Sequence, residues 1–92
     1  MKIPVLILED ESLASRMLLR QLESFPVEVL AVIDSVHNAT KWFTENIAPP
    51  LIFSDIQLSD GISFELFEKL PEIQSHIIFT TAYDEYAIRA FK

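Results

Sequence analysis

Glu9, Asp10 and Glu11 follow an apolar run, Ile3 to Leu8, and Asp55 closes another, Leu51 to Ser54. Carboxylates brought to one place can hold a hard cation through oxygen, or attack a phosphoryl group as nucleophiles. Three of them within a few ångströms repel one another, so one or more is driven toward protonation unless a cation intervenes. Mg2+ suits such a place, because it takes oxygen ligands and is held by one or two carboxylates plus a phosphate. With the charge neutralised, one carboxylate can form an aspartyl phosphate, a transfer that needs mainly positioning and electrostatic support. Thr81, after a further apolar run, offers a hydroxyl. Taken singly, each residue has a plainer reading. Asp55 suits an Asx-turn or cap, Asp10 and Glu11 suit the positive end of a helix, and Thr81 suits a turn. Their joint occurrence on one alternating pattern is what favours chemistry.

That pattern must place the acids. The run 3–8 reads as a buried strand, after which Ala14, Met17, Leu18, Leu22 and Phe25 fall at helical spacing, with Ser12 as cap and Pro26 as stop. A second strand spans Glu28 to Ile33. Ser35 then caps a helix lined by Val36, Ala39, Phe43 and Ile47 and ended by Pro49-Pro50. The third strand runs from Leu51 into Asp55. The Asp60-Gly61 turn follows, then a helix over 62–70 carrying Ile62, Leu66 and Leu70, with Pro71 as its stop. The fourth strand is His76 to Thr80, and Asp84 caps a last helix through Ala87, Ile88 and Phe91.

Strict β–α alternation with short connections predicts an α/β doubly wound parallel sheet with right-handed crossovers. If the first and third strands flank the point where strand order reverses, Glu9, Asp10 and Asp55 converge at the carboxyl edge, where open α/β sheets bind ligands. Pro4 cannot donate to a ladder and must lie at the very start of its strand.

Composition narrows the function classes. Fourteen acids against seven bases give a formal charge of −7, which argues against binding nucleic acid or anionic membrane through this domain. With no cysteine there is no disulfide, thiolate metal site or thiol nucleophile. No apolar run approaches the ~18 residues of a membrane span, and a signal-peptide pattern is lacking, so a cytoplasmic location is expected. His37 and His76 have no ligand spacing. Trp42 and Phe43 read as core or half-buried side chains, and Tyr83 and Tyr86 suit either packing or a signalling face.

Leu8-Glu9-Asp10-Glu11, Asp55-Ile56-Gln57-Leu58 and Thr81-Ala82, in this order and spacing, resemble the receiver domain of two-component response regulators. The stretch Phe79 to Phe91 is similar to receivers that precede a LytTR-type DNA-binding domain. The resemblance implies a flavodoxin-like sheet of order 2-1-3-4, with the fifth strand and helix missing and residues 1–92 forming a receiver truncated at its C-terminus. It implies Asp55 as phosphoacceptor, Asp10 and Asp55 as Mg2+ ligands with the Gln57 backbone carbonyl, Glu9 helping through water, and Thr81 bonding the phosphoryl group. It further implies a sensor histidine kinase as donor, a homodimer as the active state, and DNA contact only through an absent effector. Glu9 departs from the usual Asp, and Leu58-Ser59 from Met-Pro. The family's lysine and aromatic switch residue lie beyond Lys92.

Two other functions compete. An interaction module with this fold but no phosphotransfer is the main alternative. A small aspartyl-nucleophile phosphatase typically has an acid two residues past the nucleophile, where this chain has Gln57. Flavin binding fails because an acidic first loop repels phosphate.

Overall fold

The computed structural model describes residues 1–70 and 72–80. The expected helix capped by Asp84, the two tyrosines, Thr81 and the Pro71 stop lie outside the described residues.

The long strands are β1 (Ile3–Leu8), β2 (Val27–Ile33), β3 (Leu51–Ser54) and β6 (His76–Phe79), all paired in parallel in the order β2-β1-β3-β6. This is the expected 2-1-3-4 order, β6 being the fourth long strand. Val5, Leu6, Ile7 and Leu8 are fully buried, as an unbroken apolar run must be when a strand has neighbours on both edges and helices on both faces. Pro4 is the second residue of β1 rather than the first. The Ile3 N–H donates to the Pro26 carbonyl on the β2 side. Alternation therefore aims the Pro4 nitrogen at the β3 side, where pairing starts only at Val5. The missing donor falls where no ladder yet exists.

β2 contains a feature its sequence hides. Its pairing with β1 skips Leu30, between Val5↔Val29 and Leu6↔Ala31. An extra residue flips the side chains beyond it to the other face. Val27 and Val29 accordingly line a cleft with Leu19 and Leu22 of the first helix, whereas Ala31 and Ile33 join the core under the second and third helices. One edge strand thus serves both layers.

Helix α1 (Ser12–Leu22) starts one residue earlier than a Ser12 cap requires. Glu11 is the capping residue and makes no side-chain cap bond. Leu18 and Leu22 follow the expected stripe, but Met17 lies about a third of a turn from it and is exposed. Phe25 lies beyond the helix end and is also exposed. Helix α2 (Val36–Glu45) has the expected cap, with Ser35 accepting from the Asn38 N–H. It ends before Ile47 because Asn46 turns extended and its side chain donates to the Trp42 carbonyl. Ile47 is left on the surface.

Between β3 and α3 (Ser63–Lys69) the chain forms a small antiparallel hairpin of β4 (Gln57–Leu58) and β5 (Gly61–Ile62), where sequence reading expected only a turn. Leu58 is 1% exposed and enters the core with Leu6, Leu8, Ile33, Ala39, Ile52 and Leu66. Phe64 and Phe67 of α3 meet the Phe79 ring edge-on. The Thr80 N–H extends the ladder to the Ser54 carbonyl, one residue past β6.

Candidate functional site

β1 sits between β2 and β3, so strand order reverses about it and the loops leaving β1 and β3 diverge above a crevice. Backbone bonds bring the acids to that edge in register. The Glu9 N–H donates to the Ile33 carbonyl and the Asp55 N–H to the Leu8 carbonyl, both at 2.8 Å. Each is the first residue past its strand. As a result Glu9, Asp10 and Asp55 each offer a carboxylate oxygen within 4.8 Å of the others.

The cluster is electrostatically unrelieved. The Glu9 carboxyl is pushed up to about 7, chiefly by burial. The Glu11 N–H, 3.3 Å from Glu9 Oε2, works against this, while the charge and hydrogen bond of Asp55 and the charge of Asp10 add to it. Asp10 is exposed, so the cluster opens to solvent on that side. Hard oxygen donors, excess negative charge and an open side are what a Mg2+ site needs, and no thiol or imidazole belongs to the group. The donor set fits that ion.

Gln57 lies on β4, two residues past Asp55, and its N–H approaches Asp55 Oδ1 at 3.4 Å. Its side chain turns back to the Leu58 carbonyl. Thr81 follows Thr80, the last described residue of that strand end, and lies outside the described residues. Both histidines are exposed and neither belongs to the acid cluster. His37 is the second residue of α2, and His76 opens β6 at the opposite edge of the sheet.

Sequence reading missed the role of Asp60. Its two carboxylate oxygens accept the Val36 N–H at 2.6 Å and the His37 N–H at 2.9 Å, at the start of α2. Those bonds hold its carboxyl below the usual Asp value. Ser59 adds a hydroxyl bond to the Asp34 carbonyl at 3.1 Å. The dipeptide Asp60-Gly61 signals a turn, but nothing local announces a partner more than twenty residues away.

No family model matches the chain. Among curated proteins it is 40% identical over 91 residues to the sensory transduction protein LytT of Enterococcus faecalis, covering 96% of this chain and 37% of that protein. It is 34% identical over 93 residues to the transcriptional regulatory protein BtsR of Salmonella typhi, covering 98% and 38%. The chain therefore spans a little over a third of the length of the curated relatives it matches. Among solved structures, the response regulatory domain of mrkE from Klebsiella pneumoniae superposes with a TM-score of 0.86 at 27% identity, covering 97% of this chain and 75% of that one. The receiver domain of the response regulator PhyR from Erythrobacter litoralis gives 0.81 at 27% identity, covering 99% and 71%. The strand order, the acids at its reversal point and these relatives agree: the chain belongs to the receiver domains of response regulators.

Proposed function

We propose that this chain is the phosphoacceptor switch of a two-component phosphorelay and that Asp55 receives the phosphoryl group. The observation that carries the proposal is the convergence of Glu9, Asp10 and Asp55 at the strand-order reversal. The donor is a sensor histidine kinase. A carboxylate oxygen of Asp55 bonds to phosphorus as the bond from phosphorus to the donor imidazole breaks, and the electron pair returns to that imidazole. Mg2+, when bound, neutralises charge on the transferring oxygens. Asp10 and Asp55 hold it with the Gln57 carbonyl, and Glu9 acts through water. Thr81 bonds the new phosphoryl oxygens.

Phosphorylation replaces a carboxylate with a group carrying more negative charge and three acceptor oxygens. The added charge biases a two-state surface toward a homodimer and so controls a C-terminal DNA-binding domain, of LytTR type, in a longer protein. The chain's own charge of −7 supports assigning DNA contact to that separate domain. Among the described residues no helix is long and apolar enough to cross a membrane.

Incubation with a small phosphodonor and Mg2+, followed by intact mass measurement, tests the assignment. Wild type is expected to gain one phosphoryl group and Asp55→Asn none. An adduct on both proteins, or on neither, overturns it.

A further inference from the structure

We infer that Asp60 is a positioning residue for the cation site, acting through the β4–β5 hairpin rather than by touching the ion. The inference rests on the Mg2+ reading above and deepens it.

Residues 56–62 are held at the base, in the middle and at the tip, where the Ser59 hydroxyl (3.1 Å) and N–H (3.5 Å) also reach the Asp34 carbonyl. At the base, the Ser63 N–H donates to the Ile56 carbonyl at 2.8 Å. In the middle, Leu58 is locked into the core. Pairing of Leu58 with Gly61 leaves Ser59 and Asp60 as a two-residue tip, and there Asp60 takes two backbone N–H groups of α2. Such carboxylate-to-amide bonds are charge-assisted and short, and they meet the positive end of a helix. They tie the tip to α2, on the far side of the hairpin from Asp55.

Gln57 lies between these anchors, on the strand that runs from Asp55 to the tip. Its N–H approaches Asp55 Oδ1, and any shift of β4 moves the Gln57 backbone relative to that carboxylate. A cation that demands near-ideal octahedral geometry is sensitive to such a shift. Releasing the tip therefore weakens cation binding although Asp60 itself contributes no ligand.

The comparison that isolates this role uses Ser35, whose side chain caps the same helix by accepting the Asn38 N–H rather than by bonding the hairpin. Ser35→Ala weakens α2 and leaves the hairpin tip tied. Mn2+ binding followed by electron paramagnetic resonance, with competition by Mg2+, would be measured on wild type, Asp60→Ala, Asp60→Asn and Ser35→Ala, all below their unfolding transitions. Amide hydrogen exchange over residues 57–62 would be read without metal on the same proteins.

Asp60→Ala is expected to lower affinity by about tenfold, the scale typical of groups that orient metal ligands. Asp60→Asn, which keeps one acceptor oxygen, falls between it and wild type. Hairpin amides should exchange faster in both Asp60 variants than in Ser35→Ala. Equal loss of affinity in Ser35→Ala, or unchanged affinity in both Asp60 variants, overturns the positioning role while leaving the cation site standing. Absence of cation binding in wild type overturns the cation site and this inference with it.

Discussion

A cluster of three acids and a single acid stand at the same edge of the sheet and are treated oppositely by the fold. At the end of β1, Glu9 faces Asp10 and Asp55, and its carboxyl rises to about 7. At the hairpin tip Asp60 faces two backbone N–H groups, and its carboxyl falls below the usual Asp value. The chemistry of the side chains is nearly identical. What differs is the surroundings: burial, reinforced by like charge, at one place, and hydrogen-bond donors at a helix start at the other. The unrelieved group is the one left with something to do, because only it gains by binding a cation. The satisfied group is a fixture.

The largest expected effect comes from cutting the link between the two groups. Leu58 anchors the hairpin in the core, and Leu58→Ala removes a fully buried side chain at a cost of about 2–5 kcal/mol. A chemical denaturation midpoint measures the loss. Because the hairpin carries both Gln57 and Asp60, cation affinity should fall together with the protection of its amides. A variant that lost stability but kept full affinity would show that the two acid groups are mechanically independent.

A smaller effect sharpens the electrostatic half of the contrast. Asp10→Asn removes one charge from the cluster, so without Mg2+ the melting temperature should rise by a few degrees, while cation affinity drops by more than about tenfold. Stability and affinity then move in opposite directions. Scanning calorimetry with and without Mg2+ checks both. A melting temperature unchanged or lowered without the cation would mean that the carboxylates do not repel each other in the folded chain.

Much of this was legible in the sequence, and unevenly so. The parallel α/β class followed from β–α alternation, which a sequence carries openly in its periodicity. The strand order, and with it the convergence of Glu9, Asp10 and Asp55, followed from the resemblance to receiver domains. Three features depend on partners distant in the chain and were not legible. Leu30 is skipped in a strand that is apolar at every position but Glu28, so its sequence gives no sign that its two halves meet different helix layers. Met17 fits a helical spacing, yet only the docking of α1 decides that it faces solvent. Asp60 reads as a turn residue until α2 is set beside it. Ser12 and Phe25 failed for a more local reason: helix ends fray, and α1 begins one residue before its expected cap and stops about one turn before Pro26.

The smallest effect is a pair of pH dependences of different range. Asp60 has a folded pKa below 3.8, so its stabilising contribution is present above that value and is lost as pH falls through the folded value. Glu9 acts over another window. Its pKa rises from 4.5 in the unfolded chain to about 7 when folded, so between those values the folded chain holds more protons. Stability from this group is therefore present below 4.5 and is lost as pH climbs to about 7. The two contributions slope in opposite directions: Asp60 fails as pH falls and Glu9 as pH rises. Denaturation midpoints without Mg2+ should fall between pH 4.5 and about 7, and Glu9→Gln should flatten that decline. Mg2+ should flatten it too, since a cation binds the deprotonated cluster and offsets the repulsion. A decline that persists unchanged in Glu9→Gln would assign it to other groups, and the contrast between the two acids would then rest on Asp60 alone.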